Sequence, residues 1–323
     1  MFCSRLKGLL IIFFIKFTFM KKTQQIHDSG YKYIFSHKGF IKQLLQSFVP
    51  MNWVREIDFN EMEQINSSFI RKNLKNKESD VIYKLSYKNT PFYLYLLIEF
   101  QSTVDKTMPL RILSYVIDFY EELIKKEKFS ELPEVFPVLI YNGNEKWTVP
   151  DNMAHMISTH TKELREYLPS LKYHKIIINE FTKDSLIKIK NLLAGIFLTE
   201  NLKEGELENY QKILAEILVK EVDSQLKEAF VNWFCRLVDN ENIKPIQDIS
   251  HITLEEAKTM FAQTIEKIKK SERKEGIKEG IKEGIKEGKI AAAFKMREEG
   301  MALSLISKIT GFSEAQLKKI FKN

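Results

Sequence analysis

Three polar residues at the ends of two apolar stretches could carry chemistry. The stretch YLYLLIEFQS, residues 93–102, places Glu99 and Gln101 two residues apart, so in a strand both side chains would lie on one face. An ionised carboxylate inside a sheet is costly unless it is paired, hydrogen-bonded or bound to a metal. Asp80 opens the preceding stretch SDVIYKL, and the turn sequence KNTP separates the two. A hairpin would therefore bring Asp80 and Glu99 to the same end of two strands.

Two carboxylates at one end of a hairpin would form an oxygen-rich pocket. Such a pocket suits a hard divalent cation such as Mg²⁺, which takes carboxylates plus water and rarely a complete protein cage. Gln101, beside Glu99, could then orient water or phosphate. An amide cannot act as a general base near neutral pH, so its role would be limited to positioning.

The surrounding patterns predict an α/β fold in which a mixed sheet is flanked by helices. Three-and-four spacing predicts a helical region over 30–48, broken near Gly39. A second helix is predicted over 108–126, with its buried stripe formed by Leu110, Leu113, Val116, Ile117, Tyr120 and Leu123. The predicted strands are a hairpin of 79–87 and 92–101, followed by 135–143 and 173–181.

The chain beyond residue 183 predicts helices and no further strand. A KEGI repeat occupies residues 274–288, and each glycine would cost a helix about 1 kcal/mol, so we favour a solvated linker over a helix there. The closing stretch predicts two helices joined at Gly311, with Ser313 as an N-cap, in the outline of a helix-turn-helix. We therefore divide the chain into an apolar extension (1–23), a core (24–182), a helical region (183–270), a repeat linker (271–289) and a two-helix tail (290–323).

The composition predicts a globular protein of the reducing cytoplasm. With 323 residues and 44% hydrophobic content, the chain can bury a sizeable core. The net charge of +7 is weak evidence for nucleic-acid binding, because residues 1–22 hold five basic residues and no acid. The two cysteines, Cys3 and Cys235, argue against a disulfide framework. The six histidines lack the spacing of a metal cluster.

The apolar run LLIIFFIKFTF near the start permits two interpretations. Lys16 interrupts the run, which is too short for a spanning helix, and no cleavage site of small residues follows it. We favour initiation at Met20 over a membrane anchor, and we expect no stable membrane association.

Three segments resemble the recombination-promoting nuclease (Rpn) family of YhgA-like transposases: HDSGYKYIFS (27–36), YLYLLIEFQSTVDKTMPLRILSY (93–115) and LPEVFPVLIYNGNEKWTVP (132–150). The resemblance covers about residues 24–323, and the KEGI tail with its two-helix unit is typical of the family. It implies a restriction-endonuclease-like PD-(D/E)XK fold and a metal-dependent DNA endonuclease that promotes recombination or transposition.

The resemblance also implies roles for individual residues. Asp80, Glu99 and Gln101 match the catalytic positions, although Gln101 stands where the family pattern usually has lysine. The cation, Mg²⁺ or another divalent ion, would be bound by Asp80, Glu99 and the carbonyl of Phe100. The acidic residue that many such enzymes carry on the first helix has no clear match, and Glu61 and Glu63 are the candidates.

Four further residues are candidates for contact with DNA. His27 and Asp28 would bind substrate or metal, or instead cap the first helix. Lys32 would meet phosphate or water, and Arg111 would reach a scissile phosphate or form a structural ion pair.

Three functions stay open on the sequence. One is an active endonuclease, another is a DNA-binding accessory protein that has lost cleavage, and a third is a protein-interaction module. DNA is the expected partner, and pairing of two terminal units into a homodimer is the alternative role for the tail.

Overall fold

The computed structural model describes residues 30–65, 81–88, 90–99, 104–126, 131–143, 145–203, 205–237 and 249–322. For Glu99 this description is limited to the backbone. The chain divides into two compact units, Met1–Ala262 and Gln263–Asn323.

A five-stranded mixed sheet forms the centre of the first unit. Its strands lie in sequence order, β1 to β2 to β3 antiparallel and β3 to β4 to β5 parallel. This arrangement confirms the predicted α/β class. The strands are β1 (Ile57–Ile65), β2 (Val81–Tyr87), β3 (Thr90–Glu99), β4 (Val135–Tyr141) and β5 (His174–Ile177).

The predicted hairpin is present as β2 and β3. Tyr87 pairs with Thr90, so the chain reverses through only two residues. Lys88, the first of them, has a φ of 49°, in the left-handed region that tight hairpin turns require. At the far end of the hairpin, Val81 pairs with Leu96.

Strand β1 was not predicted from the sequence, and its burial explains why. Only Ile57 and Met62 of its nine residues are buried, and the pairing with β2 shifts between Asp58 and Glu63, so the apolar alternation of a strand is missing. Glu61 and Glu63 are exposed on this strand. Neither lies on a helix, which removes the basis for treating them as the acidic residue of a first helix.

Helices cover both faces of the sheet. The first helical region is broken at residues 36–37, which separates α1 (30–35) from α2 (Lys38–Phe48) and confirms the break expected near Gly39. Tyr83 donates to the carbonyl of Phe35 at 2.8 Å, which ties α1 to β2. Helix α3 (Met108–Lys126) has the predicted bounds and packs on the other face, against Tyr95 and its neighbours.

The predicted buried stripe of α3 is partly wrong. The buried hydrophobic side chains include Met108, Ile112, Tyr115, Val116, Phe119 and Leu123, whereas Leu110 and Ile117 are 49% and 46% exposed. The helix carries apolar residues on two faces, so three-and-four spacing alone could not identify the face that meets the sheet.

Beyond residue 183, the described residues of the first unit form helices and no further strand, as predicted. These helices are α4 (Lys183–Ile189), α5 (Leu192–Glu200), α6 (Leu207–Lys220) and α7 (Ser224–Arg236). Gln43 of α2 joins two parts of this region. Its side-chain oxygen accepts from the amide of Leu193 at 2.9 Å, and its side-chain nitrogen donates to Glu221 at 2.8 Å. Strand β5 is shorter than the predicted 173–181, because residues 178–180 form a turn of 3₁₀-helix.

The KEGI repeat is helical, so the expectation of a solvated linker in place of a helix is wrong. Helix α8 (Leu254–Glu298) runs through it without interruption for 45 residues. It starts with a reciprocal cap, in which Thr253 Oγ1 accepts from the amide of Glu256 and Glu256 accepts from the amide of Thr253. The four glycines therefore do not interrupt the helix, although each of them lowers its stability.

The terminal unit ends in a small three-helix core. The last turns of α8 join α9 (Leu303–Thr310) and α10 (Glu314–Lys322) around Ala293, Ile306 and Leu317. Gly311 lies between α9 and α10 with a φ of 75°, and Ser313 exchanges side-chain caps with Gln316. The predicted two-helix turn is confirmed, and the end of α8 is its third helix.

A pair of glycine substitutions tests how helices pack in the first unit. A Cβ at Gly39 of α2 would lie 2.5 Å from Leu226 Cδ1, whereas nothing lies within 4 Å of a Cβ at Gly280 of α8. We expect Gly39→Ala to lower the free energy of unfolding by about 1–2 kcal/mol despite its better helix propensity, and Gly280→Ala to raise helix stability by up to about 1 kcal/mol. Thermal and urea denaturation followed by circular dichroism would measure both; equal stabilisation would contradict the packing at Leu226.

Asp105 lies just before α3, and hydrogen bonds and an ion pair hold its carboxylate there. Thr107 donates to it through its amide at 2.8 Å and its hydroxyl at 2.6 Å, and Arg111 forms an ion pair with it. Burial raises the pKa of Asp105, but the hydrogen bonds from Thr107 and Arg111 outweigh burial, so the pKa is lowered. The ionised form is therefore the one that stabilises the fold.

We expect Asp105→Asn to cost about 1–3 kcal/mol of unfolding free energy at pH 7. The contribution of a carboxylate with a lowered pKa is complete above its unfolded pKa, about 3.9, and disappears as the pH falls through the folded value. The difference between Asp105→Asn and wild type should therefore shrink below about pH 4. Urea denaturation from pH 3 to pH 7 would measure it, and a difference independent of pH would show that the charge is unimportant.

Candidate active site

The candidate site is the end of the sheet where β2 begins and β3 ends. Because Val81 pairs with Leu96 in an antiparallel hairpin, the start of β2 and the end of β3 lie at one edge. Asp80 immediately precedes Val81 in the sequence, and Glu99 is the last residue of β3. On its other side Glu99 pairs with Tyr141, the last residue of β4. The start of β2 and the last residues of β3 thus lie at the end of the sheet where the parallel strands β3 and β4 both end.

Most side chains of the predicted site lie outside the described residues. These are Asp80, Phe100, Gln101, His27 and Asp28, while Glu99 is described in its backbone alone. Within the described ranges, no three His, Cys, Asp or Glu side chains are grouped closely enough to hold a metal ion. The grouping of Asp80 with Glu99 therefore stays a prediction.

Three asparagine amides fasten the carboxyl ends of β4 and β5. Asn142, directly after β4, donates to Glu200 Oε2 at 3.0 Å. Asn179 donates to the carbonyl of Gly143. Asn201 donates to the carbonyls of Ile178 and Phe181 at 2.7 and 3.1 Å. The C-terminus of α5 is thereby held against the same edge of the sheet as Glu99.

Glu200 is an acidic residue at this edge that sequence reasoning missed. It is the half-buried last residue of α5, whose residues 192–198 are all buried. Tyr31 of α1 is fully buried, and burial first, then the charge of Glu200, raises its pKa well above the usual value. Tyr31 therefore keeps its proton at physiological pH. The only sequence signal was a lone carboxylate ending an apolar helix, which has no diagnostic spacing.

Arg111 takes the structural role that the sequence left open. Its side chain is 17% exposed and paired with Asp105, and its Nε lies 3.4 Å from the hydroxyl of Tyr115. Lys32 is exposed on α1. These positions leave contact with phosphate as a prediction for both residues.

The segment that follows the predicted site is fixed to the loop after β4. The amide of Val104 donates to Glu145 Oε2 at 2.8 Å. Tyr141 and Trp147 pack at 4.8 Å between ring centroids, and the indole of Trp147 donates to the carbonyl of Val149. Trp147 thus serves packing.

Hydropathy adds one finding on membranes. Over the part of the chain that the structure describes, no helix combines the length and the apolar character needed to cross a bilayer.

Comparison with known proteins identifies relatives over most of the chain. Residues 25–229 match the family described as "Putative transposase, YhgA-like". Recombination-promoting nuclease RpnC of Escherichia coli (strain K12) is 25% identical over 197 residues, which are 61% of this chain and 64% of RpnC. The chain therefore spans less than two thirds of that relative.

Two other relatives are matched over nearly their whole length. Recombination-promoting nuclease RpnA of Escherichia coli (strain K12) is 23% identical over 92% of this chain and 97% of its own. The protein named inactive recombination-promoting nuclease-like protein RpnE, from the same strain, is 22% identical over 91% of this chain and 97% of its own. No solved structure matches.

The family match covers well over half of the 323 residues and includes all five strands of the sheet. Its span also includes all three of the segments that carried the resemblance in the sequence. The chain belongs to the YhgA-like transposase family.

Proposed function

We propose that the protein is a metal-dependent DNA endonuclease that promotes recombination or transposition. The observation that carries the proposal is the strand arrangement: β2 begins directly after Asp80, and β3 ends at Glu99, at one edge of the sheet. The names of RpnC and RpnA support nuclease chemistry in relatives. In open sheets, ligands bind beyond the carboxyl ends of parallel strands, and β3 and β4 end there.

The proposed donor set suits Mg²⁺. It consists of the carboxylates of Asp80 and Glu99 and the carbonyl of Phe100, all of them oxygen ligands, which hard divalent cations prefer. When bound, the cation would lower the pKa of water and neutralise charge that builds on the phosphate.

The remaining residues would bind and orient the substrate. Gln101 would position water through its amide, so we expect slower cleavage than in an enzyme with lysine there. Arg111 has five N–H donors and can keep its ion pair with Asp105 while donating to a phosphate oxygen. Lys32, His27 and Asp28 are proposed to line the approach of the DNA backbone.

A second candidate function is DNA binding without cleavage. RpnE, named inactive, is nearly as similar to this chain as the relatives named nucleases. Gln101 is also a departure from the family pattern. Lys295, Lys308, Lys318 and Lys319 are exposed on the terminal three-helix unit, where they could contact phosphate. For either function we propose the cytoplasm as the location, since Cys3 and Cys235 are the only cysteines.

Plasmid nicking with Mg²⁺ tests the first function. We expect Asp80→Ala and Glu99→Ala each to lower the single-turnover rate by more than the roughly 10–100-fold typical of residues that only support a metal ligand. Glu228→Gln is the matched control, because Glu228 is exposed on α7 and its change should leave the rate unaltered. Salt-sensitive DNA binding without nicking by the wild type would select the accessory function instead.

Gln101→Lys tests whether Gln101 has replaced a lysine that would make the enzyme more active. It restores the usual pattern of the family, so the nicking rate should rise if Gln101 only replaces a general base. DNA affinity, measured without metal by fluorescence anisotropy, separates this effect from the added positive charge. A lower rate at unchanged affinity would mean that the site is built around the amide.

A further inference from the structure

Helix α8 leaves a row of large apolar side chains exposed. Ile277, Ile281 and Ile285 recur every four residues in the KEGI repeat, and they are 56%, 59% and 57% exposed. Single exposed apolar residues are ordinary, whereas a contiguous row of them indicates a surface on which another element packs. We call this row the isoleucine ridge. It lies in the second compact unit, within a stretch that is helical throughout.

A row of glycines runs directly beside the isoleucine ridge. Each isoleucine follows a glycine, so the two rows have the same four-residue spacing and lie about 100° apart around the helix. Among the described residues, no neighbouring atom lies within 4 Å of a Cβ placed on any of these glycines. They are Gly276, Gly280, Gly284 and Gly288, and we call them the glycine groove. The face of α8 is therefore a ridge next to an open groove of matching period.

We propose that two copies of the chain pair in parallel through this face of α8, with the isoleucine ridge of each copy in the glycine groove of the other. Ridges of residues four apart interdigitate when two helices cross at about −50°. Glycines at the same spacing allow two helix backbones to approach closely at a crossing of the same hand. A two-fold axis along the pair makes the contact twice, as a closed dimer of identical chains requires.

The order of residue types around α8 favours the parallel orientation. Steps of about 100° place the rows in the order Glu, Gly, Ile, Lys around the helix. In a parallel pair, the isoleucine ridge of one copy faces the glycine groove of the other, and the lysines of one lie on the same side as the glutamates of the other. In an antiparallel pair, isoleucine would face isoleucine, the grooves would leave a gap, and both lysine rows would share one side. Complementary charge of this kind fixes orientation and register.

Pairing also gives the glycines a role in packing. Glycine is unfavourable inside a helix, because it loses the most backbone freedom and has no side chain to pack. An isoleucine from a second copy would fill the open space beside each glycine and would remove apolar surface of both copies from water. Neither row belongs to the proposed cation site, so pairing and cleavage can be tested separately.

Sedimentation velocity of the full chain over a range of concentrations is the first test. We expect the wild type to dimerise as its concentration rises. Gly280→Leu fills the groove with a better helix former, so it should raise the Kd of the dimer at least about 10-fold while circular dichroism shows no loss of helix. Because leucine adds apolar surface, association without a specific groove would become tighter instead. Ile281→Gln, which removes the centre of the ridge and also keeps helix propensity, should raise the Kd by a similar factor.

Leu305→Gln is the matched control. Leu305 of α9 is another apolar residue of the second unit, and it is 46% exposed. We expect this variant to keep the Kd of the wild type. Dimerisation through the terminal three-helix unit would give the reverse result, in which Leu305→Gln weakens the dimer and Ile281→Gln does not. That result would overturn the proposal, as would a wild type that stays monomeric at every concentration.

Cross-linking tests the orientation of the two copies. Gly276→Cys and Gly288→Cys are made separately in a full chain whose Cys3 and Cys235 are replaced by serine, and each is treated with a short bismaleimide. In a parallel pair, equal positions meet across the two-fold axis, so each variant should cross-link to itself. In an antiparallel pair centred between the two sites, equal positions would be about 18 Å apart along the helices. Cross-linking only in a mixture of the two variants would therefore contradict the parallel arrangement.

Discussion

Strand β3 sets the geometry on which the rest of the first unit depends. It pairs antiparallel with β2 and parallel with β4, so its last residue lies beside the start of one neighbour and the end of the other. The hairpin fixes the first relation through a two-residue turn at Lys88. The second requires a long crossover, which α3 supplies on one face of the sheet. The change of pairing direction at β3 therefore gathers polar positions from separate parts of the chain.

Side-chain amides and charges then hold the loops that leave this edge. Asn142, Asn179 and Asn201 join three connections, and each is a neutral donor that can be half-buried at modest cost. Asp105 and Arg111 do the same for the start of α3 with a charged pair. A rigid frame of this kind orients functional groups in advance, which limits the entropy lost when a ligand binds.

The sequence predicted the elements with strong apolar patterns. The hairpin, α3 and β4 were found because their buried residues follow the expected periods, and the bounds of α3 were correct. Strand β1 was missed because seven of its nine residues avoid full burial. The KEGI repeat was misjudged because glycine propensity was weighed alone, without the flanking turns that continue the helix on both sides.

Local spacing in the sequence predicted a candidate site, but it could not predict the long-range contacts around that site. Local spacing could link Glu99 with Gln101, since both lie in one stretch. Glu200 is about 100 residues from Glu99 in sequence and lies at the same end of the sheet, where it accepts a hydrogen bond from a loop residue. No periodicity in the sequence could indicate this contact. The ion pair of Arg111 similarly depends on the turn at Asp105, which the apolar pattern does not encode.

The two outer strands of the sheet carry a consequence for solubility. An exposed edge offers unpaired amides and carbonyls to any other strand, which invites aggregation. Strand β1 counters this with a break in register and exposed Asp58, Glu61 and Glu63, and β5 is only four residues long. Both borders therefore discourage the addition of a further strand from another chain.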